Sequence, residues 1–284
     1  MITSLVRPAN LDDHQKLSNL IFFESRLHRH LDWRSPLEWL GDPFYWALDD
    51  GRQITAALAC PMEATGIAWV RLFVHAGNWS AENAWNLLWQ TARAEIAQAG
   101  GARVAAIAMQ PWLQQILTAS DFKNIQQIVM LEWSYQPWAG SEAQGVRIRR
   151  MIEADLPDVE RTDAASFDPL WQNSLVTLHK AFEQSLFATV AENADGIIGY
   201  QMSTGSGQRA HLARLAVRSA RQGRGVGRAL LGDLFARLVN NSVFKLSVNT
   251  QSDNAVSLNL YQKMGFIRTG EQYPVYIFDV PTYP

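Results

Sequence analysis

Along the second half of the chain, apolar residues gather in short runs bounded by Asn, Asp and Gly, and these runs alternate with longer stretches at helical spacing. Residues 185–192 and 196–204 flank Asn193-Ala-Asp-Gly196 and read as a hairpin, the Asn, Asp and Gly supplying the turn. Residues 211–217 form the next apolar strand. Beyond them Val226, Leu230, Leu234 and Leu238 recur every four residues, widened by Leu231 and Phe235, so one helical face packs on a sheet. A strand over 243–248 and a helix over 257–264 complete the series. The first half repeats this order. It has strands over 44–49, 53–60 and 68–74, a long helix with Trp85, Leu88, Trp89, Ala92 and Ile96 on one face, and a strand over 104–108. The pattern predicts an α/β (α+β) protein.

The repetition has a measurable period. The turn Asp50-Gly51 aligns with Asp195-Gly196, Val74 with Val217 and Phe122 with Phe266, each offset close to half of the 284 residues. A period this long means duplicated domains, because solenoid units repeat every 20 to 50 residues or so. The natural cut is the small-residue stretch Pro137-Trp-Ala-Gly-Ser-Glu-Ala-Gln-Gly145, giving domains over residues 1–140 and 146–284. The halves have diverged: ten of the eleven tryptophans precede residue 140, which points to aromatic core packing in the first domain.

Composition narrows the chemistry. With 25 Lys and Arg against 27 Asp and Glu the chain is nearly neutral, so nucleic acid is not an expected partner. Cys60 is the one cysteine, which excludes an internal disulfide and a Cys-based zinc site, and its apolar strand makes it a buried, inert thiol. No metal is expected. The first residues lack an apolar signal core, and no apolar run reaches the roughly 20 residues of a membrane helix. A reducing cytoplasm is the expected location, with no membrane partner. Edge strands are open to pairing between chains, which leaves a homodimer possible.

The sharpest local signal runs from His211 to Leu231, where a strand enters a glycine-rich turn that opens directly into a helix. Glycines 223, 225 and 227 let the backbone turn tightly, and the helix start adds free N–H groups and a positive dipole end that suit an anionic phosphate. Between Arg209 and Arg228 lie six arginines (209, 214, 218, 221, 224 and 228) and no Asp or Glu, which predicts a positive local field. The spacing fails the dinucleotide fingerprint in both registers, since Arg228 or Leu230 falls where the third glycine belongs. The turn also ends Gly227-Arg-Ala, without the Lys-Ser/Thr of a nucleotide P-loop.

What does fit is Gln222-x-x-Gly225-x-Gly227 after a strand ending Leu215-Ala216-Val217. This resembles the acyl-coenzyme A pyrophosphate loop of the GNAT superfamily of N-acetyltransferases. A second segment, from Val248 through Asn254, Ser257, Leu260 and Tyr261 to Gly265-Phe266, resembles the late motif of the same family. The resemblance spans about residues 146–284 and implies two tandem GNAT-like domains, each a mixed, mostly antiparallel twisted sheet flanked by helices. It implies acetyl-coenzyme A as donor, bound by Leu215, Ala216, Val217, Gln222, Gly223, Arg224, Gly225, Val226, Gly227, Arg228 and Asn254. The family places a tyrosine near the thioester sulfur as proton donor to the leaving thiolate, here Tyr261, and the amide matching Val217 on the acetyl carbonyl.

The resemblance implies as acceptor a primary amine, a small molecule or a protein amino terminus, that attacks the thioester directly. His211 is the titratable group on the acyl-site strand and the candidate base, although it also reads as a plain strand residue. Asn254 equally reads as a helix N-cap with Ser257 at the third position. The segments Phe167-Asp-Pro-Leu-Trp171 and Gln272-Tyr-Pro-Val-Tyr276 match the loops that border the acceptor cleft in the family. The first half lacks the chemistry: Val74-His-Ala-Gly-Asn-Trp-Ser-Ala-Glu-Asn-Ala84 has one glycine and no arginine, and Leu117 stands where the tyrosine would be. It resembles a degenerate copy, as in tandem-domain mycothiol synthase. A different reading is a non-catalytic acyl-coenzyme A sensor or scaffold; a Tyr261→Phe substitution separates the two, because binding survives in both while turnover falls in one.

Overall fold

The computed structural model describes residues 5–24, 26–64, 66–77, 79–136, 140 and 143–282. They divide into two compact units, Met1–Gln126 with Tyr273–Pro284, and Gln127–Gln272. The first unit runs β1 (Leu5–Pro8), α1 (His14–Phe23), β2 (Leu27–Arg29), β3 (Tyr45–Asp49), β4 (Ile54–Ala59), β5 (Met62–Ala64), β6 (Ile67–Trp69), β7 (Leu72–His75), α2 (Ala81–Gln98), β8 (Ala102–Ile107) and α3 (Pro111–Ala119). A strand β9 (Lys123–Ser134) crosses into the second unit. There follow β10 (Arg147–Arg150), α4 (Leu156–Ala164), α5 (Leu175–Glu183), β11 (Phe187–Asn193), β12 (Gly196–Ser206), β13 (Arg209–Val217), α6 (Val226–Asn240), β14 (Lys245–Gln251), α7 (Ala255–Lys263) and β15 (Ile267–Val280).

In the second unit the strand order is β10-β11-β12-β13-β14-β9, antiparallel throughout except for the parallel pair β13 and β14. The hairpin at Asn193–Gly196 is the predicted one, and the Asn193 side chain accepts the Asp195 N–H at 2.9 Å. One face of the sheet carries α6 and α7. The α6 stripe Leu231, Leu234, Phe235 and Leu238 packs with Trp133, Leu246, Val248, Tyr261 and Phe266, all buried. Burial of that stripe, at about 1.5–3 kcal/mol per large side chain, is what holds α6 on the sheet.

In the first unit β1-β3-β4-β7-β2 are neighbours in one sheet; β6 pairs in parallel with β8, which pairs with the end of β15. The tryptophans serve its core as expected. Trp85 and Trp89 stack at 5.8 Å and meet Phe122, while Trp89 also meets Phe278 edge-on.

The duplication is written most plainly in a pair of ion clusters. Arg7 bridges Asp13 and Asp49 at 2.8 and 2.7 Å, and Arg149, 142 residues later, bridges Asp155 and Glu192 at 2.6 and 2.7 Å. In both copies the first carboxylate also accepts the backbone N–H three residues before it, of Asn10 and of Ile152. Hydrogen bonds from the arginine hold Asp13 and Asp155 below the ordinary carboxylate range.

The units are divided differently from the cut read in the sequence. Residues 128–134 of β9 pair with β14 in the second unit, and residues 275–280 of β15 pair with β8 in the first. A strand bonds to whichever sheet edge it reaches, and period-two patterning does not record which one. Of the stretch 137–145, residues 137–139, 141 and 142 lie outside the described residues.

Candidate functional site

A one-residue bulge creates the site. Met202 lies opposite Arg214 but Ser203 lies opposite Leu212, so Ala213 is an extra residue in β13. A bulge bends its strand and reverses the alternation of faces. Ala210 and Leu212 before it, and Leu215 and Val217 after it, therefore all pack toward α6. Pairing of β13 with β14 ends at the same place, with Leu212 opposite Val248. Beyond it the two strands diverge.

The groups facing this gap follow from the pairing on the other side. The Arg218 N–H bonds the Ile198 carbonyl at 2.9 Å, so Gly199 and Val217 form a non-hydrogen-bonded pair. The Val217 and, two residues back, Leu215 amides point away from β12 and into the gap, whereas Ala216 lies between them with its side chain buried. Among the described residues no strand pairs with this edge. An extended polar chain entering the gap would find donors and acceptors at strand spacing, the geometry of β-strand addition.

The turn after β13 is held open from below. Gln222 donates to the Val217 carbonyl at 3.0 Å, and Gly223 and Gly225 have φ of +73° and +83°. Either glycine replaced by an L-residue would be strained by about 1–2 kcal/mol. The Gly223, Arg224 and Gly225 amides make no backbone hydrogen bond among the described residues, and Ala229 N–H is the first in α6 to find a carbonyl, that of Gly225. Residues 222–225 are exposed. Free amides and a helix start together form an anion cradle, so the residues present fit a pyrophosphate. Val226 packs down into the core, and a Cβ on Gly227 would stand 3.0 Å from Leu260 of α7, so this glycine lets the two helices approach.

The arginine-rich field is smaller than the sequence implied. Arg214 makes two bonds to Asp163, at 2.8 and 2.9 Å, donates to the Trp171 carbonyl at 2.6 Å and lies 3.6 Å above the Phe167 ring. Arg221 pairs with Asp195, and Arg218 donates to Thr162. Asp163 and Asp195 lie outside the run of residues 209–228, so a linear count of charges missed them. Arg224 and Arg228 remain exposed at the turn, and Arg224 has no carboxylate partner among the described residues.

Asp163, fully buried, also accepts Tyr200 Oη–H and the Asn173 N–H. The segment 167–173 is thereby bolted to β13, a role for Asp163, Tyr200 and Arg214 that no sequence motif announced. The other proposed acceptor segment is corrected: Tyr276 is a buried core residue of the first unit, opposite Ala106. Strand pairing with β8 takes up Val275 and Tyr276 of that segment.

His211 sits on the paired part of β13, its Nδ1 2.9 Å from Ser247 Oγ, and burial lowers its pKa below 6.5. Burial thus favours its neutral form. Tyr261 is buried against Phe266, and desolvation raises its pKa well above 10, so it keeps its proton. Its hydroxyl makes no protein hydrogen bond among the described residues. The Asn254 side chain accepts the Ser257 N–H at 3.0 Å and caps α7.

The first unit has the same divergence, and its own chain fills it. Pairing of β6 with β8 ends at Trp69, and the edge of β7 that would face a gap pairs with β2, Leu27 to Val74, His28 to Phe73 and Arg29 to Leu72. His30 N–H to the Arg71 carbonyl at 3.0 Å and His28 Nε2 to the Val70 carbonyl at 3.1 Å extend the seal. The corresponding stretch of the second unit, residues 169–171, is a short 3-10 turn held aside by Arg214.

Residues 149–266 match the model of the acetyltransferase (GNAT) family. Among solved structures, a GCN5-related N-acetyltransferase from Sphaerobacter thermophilus is 15% identical, with 99% of this chain and 97% of that one covered and a TM-score of 0.63. A tandem GNAT protein from the clavulanic acid biosynthesis pathway is 12% identical over 99% and 100% of the two chains, TM-score 0.66. A protein from Enterococcus faecalis V583 described as a probable N-acyltransferase is 10% identical over 99% and 73%, TM-score 0.74. At these identities the likeness is one of fold, along the whole chain. No helix of the described residues is long and apolar enough to cross a membrane, and no group of three or more His, Cys, Asp or Glu among them could hold a metal ion.

Proposed function

We propose, from the match of residues 149–266 to the model of the acetyltransferase (GNAT) family and the likeness of the whole chain's fold to a tandem GNAT protein, that the protein moves an acetyl group from acetyl-coenzyme A to a primary amine. The observation that carries this is the open gap between β13 and β14, with the Leu215 and Val217 amides facing into it beside the Gly223–Gly227 turn. In this reading residues 146–284 are the acetyltransferase domain and residues 1–140 a degenerate copy.

The turn amides and Arg224 hold the pyrophosphate, and the edge of β13 holds the extended arm of the donor. The Val217 N–H stabilises the charge that develops on the thioester oxygen, a donor fixed in place before reaction. Tyr261 gives its proton to the departing thiolate. A neutral amine attacks directly, and neutral His211, oriented by Ser247, accepts the ammonium proton, directly or through water. Asn254, engaged in its cap, fixes the start of α7. The filled gap of the first unit supports one donor site per chain. The single cysteine, buried Cys60, suits a reducing cytoplasm, where we place the reaction.

The test is calorimetric titration with acetyl-coenzyme A, followed by an amine screen that reads release of the coenzyme A thiol. One site per chain, lost on bulky substitution of Gly225, with amine-dependent thiol release, is the expected result. No binding at millimolar ligand refutes the reading.

A further inference from the structure

The face of the second unit's sheet opposite α6 and α7 carries a partly exposed polar lattice that leads up to the gap. Register fixes its members. His211 lies beside Ser247, which lies opposite Glu132, and one step of two residues further from the gap Arg209 lies beside Lys245, opposite Ser134. Alternating residues Ala210, Leu212, Leu246, Val248, Leu131 and Trp133 are buried on the other face. Arg209 is exposed and has no carboxylate partner among the described residues, and Lys245 pairs with Glu132 at 3.3 Å while remaining 44% exposed. An antiparallel sheet commonly packs one face on the core and leaves the other polar and solvated. Here two cations stand side by side at one depth, and the only carboxylate of these rows serves to hold one of them.

Resting on the acetyl-transfer reading, we propose that the acceptor amine carries an anionic group, a carboxylate or a phosphate, bound by Arg209 and Lys245. At about 3.3 Å per strand residue, the cation row lies about 7 Å from His211, the proposed base for the amine. The acceptor is therefore a primary amine with its negative charge several bonds away from the nucleophilic nitrogen. Lys245, steadied by Glu132, and Arg209 present a pair of donors to that charge.

The probe set is 6-aminohexanoate, whose chain spans this interval, against hexylamine and 1,6-diaminohexane, assayed by thiol release at saturating acetyl-coenzyme A. The expected kcat/KM for 6-aminohexanoate exceeds that of hexylamine about tenfold, a gain typical of two partly exposed charge-assisted contacts, and diaminohexane is the poorest. The preference shrinks at high salt. It collapses in the Arg209→Gln/Lys245→Gln variant while the acetyl-coenzyme A Kd stays unchanged. Equal rates for the three amines, preference for the diamine, or a preference that survives the double substitution overturns the proposal. If acetyl-coenzyme A fails to bind or no amine releases thiol, the acetyl-transfer reading itself has failed. Calorimetry of 6-aminohexanoate with the protein alone then decides the anion site, which stands if binding disappears in the double variant and falls if there is none.

Discussion

Replacing Asp163 with Ala is the most severe single change the second unit offers. The carboxylate has no solvent exposure and accepts four hydrogen bonds, two from Arg214, one from Tyr200 and one from the Asn173 amide. Its loss leaves the Arg214 guanidinium, only 14% exposed, without a counter-charge. Breaking a buried pair from one side costs about 3–5 kcal/mol, because the remaining charge stays desolvated. At about 2–4 °C per kcal/mol for a unit of this size, the corresponding thermal transition falls by roughly 6–20 °C. Differential scanning calorimetry of the full chain reads this, and hydrogen exchange reads faster amide exchange over residues 167–174 as the segment is released. The decisive comparison adds Arg214→Met. With the stranded charge gone, the Asp163→Ala/Arg214→Met variant recovers part of the loss, so the two changes are strongly non-additive. A single-variant shift below about 2 °C, or strict additivity, refutes the account of this network.

Tyr261→Phe keeps the fold and the acetyl-coenzyme A Kd but lowers kcat about 100-fold or more, the usual worth of a positioned acid; steady-state kinetics beside calorimetry separates the two. Gly225→Val combines left-handed strain of about 1–2 kcal/mol with a side chain in the phosphate cradle, and raises the acetyl-coenzyme A Kd at least tenfold by titration. His28 is buried and its pKa is pushed down to about 4 by desolvation, against an ordinary 6.5. The stability it confers is complete above pH 6.5 and declines as pH falls from there through about 4, so the first unit loosens in mild acid, and His28→Leu flattens that limb in denaturant titrations across pH. Asp155, held low by Arg149, contributes stability that is full above the unfolded carboxylate pKa and lost as pH falls through its depressed folded value; Arg149→Met removes this acid-limb dependence.

The linear sequence determined the local architecture because the relevant forces are local. The four-residue spacing of Val226 to Leu238 specifies α6, Asn193 to Gly196 specifies a hairpin, and Gly223 to Gly227 specify a turn that only glycine makes without strain. The period near half the chain is likewise a property of the string, and the recurrence of Arg7 and Asp13 as Arg149 and Asp155 was a further signal of it. The tertiary structure decided what depends on distant partners. Nothing between residues 209 and 228 foretells that Asp163 captures Arg214, since ion pairing is set by distance in space. The bulge at Ala213, which opens the gap and turns Leu215 and Val217 toward α6, shows only in register. The filling of the first unit's gap by β2, and the pairing of β9 and β15 with sheets that the sequence cut did not assign them, follow the same rule. A strand's pattern fixes which side is buried, whereas its neighbour is chosen by the unpaired edge it meets when the chain closes on itself.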